Sequence, residues 1–206
     1  MRKLLCCVLM MTLLLTACGG GGGGSEAEKL ALQVRGEYLS MTGCSGTAVV
    51  TADYGQRVYR YELQFAADGD GTVLTLLSPE TVAGITARLS GTEGSVLEYD
   101  GAVLETGPLD ESGLTPVSAV PAVLTAVREG YLDACTLEET EEQPLLRLLV
   151  RDPENELGSG LETTLWFKVS DRKLSRAEIC QDGVCIIQCE FSAFEAENRV
   201  NLGEET

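Results

Sequence analysis

The pattern that most constrains this chain is a strict alternation of side chains between Val58 and Phe65. The apolar and aromatic set is Tyr59, Tyr61, Leu63 and Phe65, and the intervening set is Val58, Arg60, Glu62 and Gln64. Successive side chains of a β-strand point to opposite faces, so this segment predicts a strand with one apolar face. Asp100-Gly101 and Asp182-Gly183 lie between similar runs, and such dipeptides favour two-residue hairpins. Because hairpins join antiparallel strands, the chain predicts an antiparallel sheet.

Further short runs have the composition of strands bounded by turn residues. They are Thr47–Thr51, Thr72–Leu77, Ala83–Leu89, Val96–Tyr99, Ala102–Glu105, Leu145–Val150, Thr163–Val169, Leu174–Cys180 and Val184–Phe191. The tail from Glu195 is polar and is expected to be frayed.

Two segments have the period of a helix instead. Ser25 and Glu28 fit a capping box before a helix over about 26–40. A second helix begins at Thr115-Pro116 or at Pro121 and ends near Gly130. With about 10–11 strands and only two main helices, we expect an α+β fold. The predicted architecture is an open antiparallel half-barrel whose concave face is covered by the helices.

The first residues of the chain predict export and a lipid anchor. Met1-Arg2-Lys3 is cationic and Leu4–Leu15 is almost wholly apolar, yet too short for a comfortable membrane span. The following Leu15-Thr16-Ala17-Cys18 resembles the lipobox of bacterial lipoproteins, in which the cysteine is acylated and becomes the first mature residue. The alternative is an ordinary signal peptide or short anchor with an incidental cysteine.

These features divide the chain into three parts. Residues 1–17 are the predicted signal peptide, 18–25 the lipidated Cys18 with a glycine-rich linker, and 26–206 a single domain. The linker has a reach of roughly 13 Å by random-coil scaling. The domain is therefore expected outside the cytoplasm, held by Cys18 at the outer face of the cell membrane, or at an outer membrane where the organism has one.

Composition excludes several classes of function. The 206 residues include 15 basic and 32 acidic side chains, and the net charge of −17 opposes binding to nucleic acid. The sequence contains no histidine, which excludes Ser-His-Asp and Cys-His catalysis. The acidic clusters at 138–142 and 195–197 are predicted to be solvated surface. We therefore expect neither enzymatic activity nor a cofactor.

Five cysteines remain after the signal peptide and Cys18 are set aside: Cys44, Cys135, Cys180, Cys185 and Cys189. An exported protein can keep disulfides, and an odd number leaves at least one thiol unpaired. The pairing of Cys44, Cys135 and Cys189 stays open at this point.

A two-residue turn at Asp182-Gly183 would place Cys180 opposite Cys185 as a non-hydrogen-bonded pair. Their α-carbons would then lie about 4.5 Å apart, at the short end of disulfide geometry, and we predict that they form a disulfide. In that simple register Glu178 and Arg176 oppose Ile187 and Cys189, which mixes polar and apolar side chains on one face. A zinc site with Cys189 is the rival, but the spacing is unlike a paired C-x2-C knuckle, so no metal is predicted.

Three strings of the sequence carry a resemblance to a known superfamily. They are Ser78-Pro79 followed by Ala83-Gly84-Ile85, Leu165-Trp166-Phe167-Lys168-Val169 followed by Leu174–Ile179, and Phe191-Ser192-Ala193-Phe194-Glu195. Together with the order helix, meander, helix, meander, they resemble the lipoprotein carriers and receptors of the LolA/LolB-like superfamily. The resemblance covers most of residues 26–197 and implies an open half-barrel of about eleven antiparallel strands with helices at its mouth. The soluble carriers are not lipidated, so a lipobox is nearer to the receptor or to lipidated Gram-positive relatives, including spore-germination lipoproteins.

The alternation and the resemblance together predict a hydrophobic cavity for a lipid, an acyl chain or a lipopeptide. The candidate lining residues are Tyr59, Tyr61, Leu63, Phe65, Ile85, Leu89, Val123, Leu124, Leu165 and Phe167. The alternative is that these side chains pack on the helices as filled core. In that case the protein would be a ligand-free interaction or regulatory module of the cell envelope or of spore germination, with an envelope protein as its partner.

Overall fold

The structure is a computed structural model that describes residues 25–90, 94–107 and 111–198. The predicted signal peptide, Cys18 and the glycine linker lie outside the described residues. Among the helices of the described residues, none combines the length and apolar character needed to cross a membrane.

Two helices and eleven strands make up the described chain. The helices are α1 (Glu26–Ser40) and α2 (Ala119–Glu129). The strands are β1 (Met41–Asp53), β2 (Val58–Ala67), β3 (Thr72–Ser78), β4 (Thr86–Ser90), β5 (Gly94–Tyr99), β6 (Ala102–Thr106), β7 (Leu132–Glu138), β8 (Leu145–Arg151), β9 (Leu161–Lys168), β10 (Leu174–Gln181) and β11 (Val184–Asn198).

All eleven strands belong to one open antiparallel sheet, as the hairpin signals predict. Its order is β6-β5-β4-β3-β2-β1-β11-β10-β9-β8-β7. Two meanders therefore meet where the first strand pairs with the last, from Met41 opposite Asn198 to Ala52 opposite Ile187. The strand β6 and the strand β7 form the two free edges, and α2 lies between them in the chain. The predicted α+β class and strand number are confirmed.

Helix α1 forms as the sequence predicts. The Ser25 hydroxyl accepts a hydrogen bond from the Glu28 amide, and the Glu28 carboxylate accepts one from the Ser25 amide, which completes the capping box. Val34 and Tyr38 are buried on the helix face that meets the sheet. The Tyr38 hydroxyl accepts a buried hydrogen bond from the Leu174 amide at 3.0 Å.

Helix α2 begins at Ala119, between the two starts that the sequence allows. Pro121 is its third residue, within the first turn, where the backbone N–H groups have no partner inside the helix, so the proline costs no ladder hydrogen bond. The helix ends at Gly130, whose φ of −64° is not left-handed. Glycine is required there by a close approach, since a Cβ would lie 2.2 Å from Val150 Cγ1.

The two helices are joined by arginines that bind each other's ends. The Arg35 guanidinium of α1 donates hydrogen bonds to the carbonyls of Val127, at 3.1 Å, and Gly130, at 2.6 Å, at the end of α2. In return, Arg128 of α2 donates to the carbonyl of Tyr38 near the end of α1, at 3.1 Å. The last carbonyls of a helix lack hydrogen-bond donors within the helix and carry partial negative charge. A guanidinium group supplies both the donors and the opposite charge.

Two differences from the sequence analysis concern strand β7, which was not predicted, and the end of strand β11. Strand β7 escapes the strand pattern because it lies at the sheet edge and its exposed and half-buried positions do not alternate. The expected frayed tail from Glu195 is wrong as far as Asn198, because β11 continues to that residue. There its backbone pairs with the first half of β1, and Phe194 is buried at 4% exposure.

Removal of one reciprocal helix cap is predicted to destabilise the fold. Arg35→Ala leaves the carbonyls of Val127 and Gly130 without their donor, and hydrogen bonds to charged groups contribute about 1.5–3 kcal/mol. We expect the free energy of unfolding in urea to fall by about 1–2 kcal/mol, because water replaces part of the interaction. Arg57→Ala, in an exposed turn, is the control and should change it by less than about 0.5 kcal/mol. Equal effects of the two substitutions would contradict the role of Arg35.

A second prediction concerns pH and the buried Cys44 of β1. Burial raises the pKa of its thiol from 9.0 to about 11. A thiol whose pKa is raised by folding stabilises the folded state below its unfolded pKa and loses that contribution as pH rises towards the folded value. The free energy of unfolding should therefore fall between pH 9 and about 11, by up to about 2 kcal/mol from this group. Cys44→Ala should flatten that part of the profile, and an unchanged slope in the variant would contradict the assignment.

Candidate functional site

The candidate site lies on the side of the sheet that faces the helices, here called the inner face. Tyr38 of α1 contacts this face, with its ring centroid 5.4 Å from that of Phe167 and 5.5 Å from that of Phe194. The strand register continues the same face across the sheet, because Phe194 pairs with Gly46, which in turn pairs with Phe65. From Phe65 the row runs through β3 and β4 to Leu97 and Leu104 at the β6 edge.

The main contacts of the helices fall on one half of the inner face. Among the described residues, the main helix contacts of α1 fall on β7, β8 and α2, and those of α2 fall on β9, β11 and α1. We call strands β7–β11 the covered half and strands β2–β6 the open half. Leu165, Phe167 and Val123 are fully buried in the core of the covered half.

The open half presents an apolar surface of partly accessible side chains. We call its members the open patch, and they are the half-buried Leu76, Ile85 and Leu97, with Tyr99 at 52% and Leu104 at 60% exposure. Below them, Leu63, Phe65, Leu74 and Leu89 are buried and form the floor. Every inner position on the described residues of β2–β6 is uncharged. Exposed contiguous apolar surface of this kind marks an interaction or ligand-binding site.

Three tyrosines border the open patch at the end of the sheet where β1 turns into β2. We call Tyr54, Tyr59 and Tyr61 the tyrosine row. The rings of Tyr59 and Tyr61 are nearly parallel, at 9° and 6.4 Å between centroids, and Tyr54 meets Tyr59 edge-on at 6.1 Å. The Tyr54 hydroxyl donates to the carbonyl of Leu114 at 2.9 Å, which fixes this ring against the segment before α2. Tyr54 and Tyr59 remain 46% and 36% exposed.

The ten predicted lining residues divide into two groups in the structure. Tyr59, Tyr61 and Ile85 are accessible and border the open half. The others are buried members of one core cluster: Leu63, Phe65, Leu89, Val123, Leu124, Leu165 and Phe167. In this conformation the second group is filled core, with Leu63, Phe65 and Leu89 beneath the open patch, and its role as cavity lining stays a prediction.

Sequence reasoning did not select Leu76, Leu97, Tyr99 and Leu104 for the site. The alternation of Val96–Tyr99 and the Asp100-Gly101 hairpin contain the signal that pairs Leu97 with Leu104. Their exposure, however, depends on where the helices lie, which neither pattern carries.

Near the turn between β10 and β11, Cys180 lies directly opposite Cys185, as the two-residue turn predicts. One extra residue in β11, Ile186, shifts the register beyond this pair. The bulge sets Glu178 against Gln188 and Arg176 against Glu190, so the predicted mixture of polar and apolar partners is wrong. Polar residues face polar residues instead, and Ile187 and Cys189 are buried on the inner face.

All five cysteines of the described residues are thiols in the structure. Burial and the adjacent Cys185 raise the pKa of Cys180 to about 12, and burial raises the pKa of Cys185. Cys44, Cys135 and Cys189 lie on other parts of the sheet, on strands β1, β7 and β11. Within residues 25–90, 94–107 and 111–198, Cys, Asp and Glu side chains form no group of three placed to hold a metal ion.

The outer face of the covered half carries a stack of a tryptophan and two arginines. Trp166 of β9 pairs with Arg147 of β8 and Arg176 of β10, and their guanidinium carbons lie 5.9 Å and 4.9 Å from the ring centroid. The indole nitrogen donates to Glu138 at 2.9 Å. Tryptophan and arginine are enriched at protein interfaces, so this stack is a second candidate surface.

Cavities at the ends of the sheet mix acidic side chains with an arginine. One, of about 580 Å³, is bordered by the β2–β3 turn and includes Asp68 and Arg88. Another, of about 480 Å³, lies beside the end of α2 and includes Glu129 and Arg151. Neither includes a residue of the open patch or of the tyrosine row, but Leu89 of the floor borders the first cavity.

Oxidation of the Cys180–Cys185 pair is a testable prediction. The register places the two side chains opposite each other, so a disulfide requires only local side-chain rotation. The protein is taken from an oxidising compartment and alkylated before any reduction. In the peptide that follows Arg176, Cys189 should be the one cysteine that is alkylated, and the peptide should be two hydrogen atoms lighter than the same peptide with Cys180 and Cys185 as free thiols. Cys180→Ser should leave Cys185 open to alkylation. Alkylation of Cys180 and Cys185 in the unreduced wild-type protein would contradict the prediction.

Comparisons with known proteins concern the fold. No family model and no curated protein matches the chain. Its structure is similar to that of an uncharacterised conserved protein from Thermus thermophilus, with a TM-score of 0.48, 10% identity and coverage of 84% of this chain and 89% of that one. A putative outer membrane lipoprotein-sorting protein domain from Vibrio parahaemolyticus has a TM-score of 0.47 and 12% identity, with coverage of 87% of this chain and 96% of that one. A LolA superfamily protein from Nitrosomonas europaea has a TM-score of 0.44 and 10% identity, with coverage of 85% of this chain and 95% of that one. Identities of 10–12% and TM-scores below 0.5 carry no argument beyond this likeness, so membership of the LolA-like superfamily stays a prediction.

Proposed function

We propose that this chain is a membrane-anchored extracytoplasmic lipoprotein, without enzymatic activity, that binds a lipid, an acyl chain or a lipopeptide. The observation that carries the proposal is the open patch, an uncharged apolar surface left accessible on one half of the sheet. The covered half satisfies the need for a stable core, so the open half is not required to bury its apolar side chains internally.

An acyl chain is suited to the open patch on energetic grounds. Burial of each CH2 contributes about 0.8 kcal/mol, so ten such groups supply about 8 kcal/mol towards the cost of association. Leu76, Ile85 and Leu97 provide aliphatic contacts, and the proposed half-barrel curvature would let the ligand lie along the inner face beside the helices. In this proposal the helices cover only half of the concave face.

The anchor defines where such binding takes place. Acylation at Cys18 would hold the domain at one membrane, because more than one acyl chain gives stable attachment. The glycine linker would keep the domain within roughly 13 Å of the bilayer surface. The bilayer is thus the first partner, and a lipid or lipopeptide taken from it or from another exported protein is the second.

A pair of substitutions in β6 tests the binding surface. Leu104 and Val103 are neighbours with nearly equal exposure, 60% and 62%, but they lie on opposite faces of the sheet. Leu104→Glu places a carboxylate in the open patch and should weaken binding of an uncharged fluorescent C12 ester by about tenfold or more, because a charge near an acyl chain must stay hydrated. Val103→Glu is the matched control with the same added charge and should leave binding unchanged.

The test uses the predicted mature protein, from residue 18 onward with Cys18→Ser, so that the apolar signal peptide, attached acyl chains and detergent do not compete for the patch. Native mass spectrometry of this protein should show co-purifying lipid, and Leu104→Glu should remove it. A protein that is always empty and binds no C12 probe would contradict the proposal. It would favour the ligand-free interaction function, for which the stack of Arg147, Trp166 and Arg176 is the surface to test.

A further inference from the structure

We infer that the site selects an amphiphile with a cationic headgroup, an ammonium or trimethylammonium group held by the tyrosine row while the acyl chain lies on the open patch. The inference rests on the proposed function and adds the chemical class of the headgroup. In this inference the open half binds one amphiphile molecule.

The first observation is the position of the aromatic rings. Strand β3 pairs with β2 only as far as Glu62, so Tyr59 and Tyr61 lie beyond the part of β2 that β3 covers. Tyr54 joins them from the β1–β2 turn, and Tyr99 reaches the same end of the sheet at the end of β5. Four of the six tyrosines of the chain therefore lie where the open patch ends. A ligand whose chain fills the patch places its headgroup among them.

The geometry of the row suits a cation. Tyr59 and Tyr61 are parallel, and Tyr54 is turned by 61° to Tyr59, so the row presents aromatic faces in two directions. The face of an aromatic ring carries negative potential and attracts ammonium groups, by about 0.5–1 kcal/mol when exposed and about 2 kcal/mol when desolvated. The hydrogen bond from Tyr54 to the Leu114 carbonyl keeps the first ring in place before any ligand binds.

The charges around the row point the same way. Asp53, Glu80 and Asp100 lie at the end of the sheet where β1, β3 and β5 stop. Arg60 and Arg88 lie on the outer face, opposite the open patch.

Residues 54–61, all of them described, contain two cationic side chains, Arg57 and Arg60. Arg57 is exposed in the β1–β2 turn. An anionic headgroup would meet carboxylates and a net charge of −17, whereas a cationic headgroup meets complementary charge.

Three amphiphiles with the same C12 chain test the inference: dodecyltrimethylammonium, dodecyl maltoside and dodecyl phosphate, each below its micelle concentration. Binding to the same unlipidated mature protein is measured by calorimetry at 0.15 M salt and at higher salt, which screens exposed charge. We expect the cationic amphiphile to bind at least about fivefold tighter than the neutral one, and the anionic one to bind weakest.

The variant Tyr54→Leu/Tyr59→Leu separates the aromatic rings from the overall charge, because it keeps apolar area and leaves the net charge unchanged. It should reduce the cationic preference to about twofold or less and leave maltoside binding as in the wild type. Tyr54→Phe/Tyr59→Phe keeps the rings and should retain the preference. Tyr131→Leu, which removes an exposed tyrosine beside the covered half, is the matched control and should change nothing.

The outcomes distinguish the two proposals. Equal binding of all three amphiphiles would overturn the headgroup inference and leave the proposed function standing. A cationic preference that survives in Tyr54→Leu/Tyr59→Leu would assign it to net charge and also overturn the inference. Binding of none of the three would overturn both.

Discussion

The pairing of β1 with β11 is the interaction on which the rest of the structure depends. Among the described strands it is the one neighbouring pair that no hairpin joins, since it brings Met41 beside Asn198. The close approach at this seam is visible at Gly46, where a Cβ would lie 2.1 Å from the Ala193 carbonyl oxygen and 2.9 Å from the Phe65 ring. A larger residue there would push apart the two meanders. The seam therefore turns two separate ribbons into one surface wide enough for both a core and a site.

The two halves joined by this seam bear different physical demands. The covered half buries the apolar faces of both helices, and its Phe167 packs edge-on against Tyr38. The open half has a buried floor, including Leu63 and Leu74, but its edge residues stay accessible. Under the proposed function, stability and recognition depend on different strands of one sheet. A substitution in the open patch is then expected to alter binding while the core remains intact.

Much of the fold follows from local sequence signals, because alternation, turn dipeptides and helix caps act over a few residues. The Ser25–Glu28 capping box and the Asp182-Gly183 turn are examples that the structure confirms. Features that depend on distant partners do not follow. The bulge at Ile186 is visible only once β10 is paired, and Asn198 is ordered by β1 from the other end of the chain.

The candidate site has the same division between local and distant information. Tyr59, Tyr61 and Ile85 emerge from alternation alone, since each lies on a predicted apolar face. Leu97 and Leu104 also lie in apolar segments, but their accessibility depends on the position of helices that pack on other strands.

The reciprocal hydrogen bonds of Arg35 and Arg128 have a consequence for those helices. Neither helix can move away from the other without unpairing carbonyls at a helix end, so we expect the two helices to move as one unit. Under the proposed function, a small ligand would use the open half, and a larger one would have to displace both helices together.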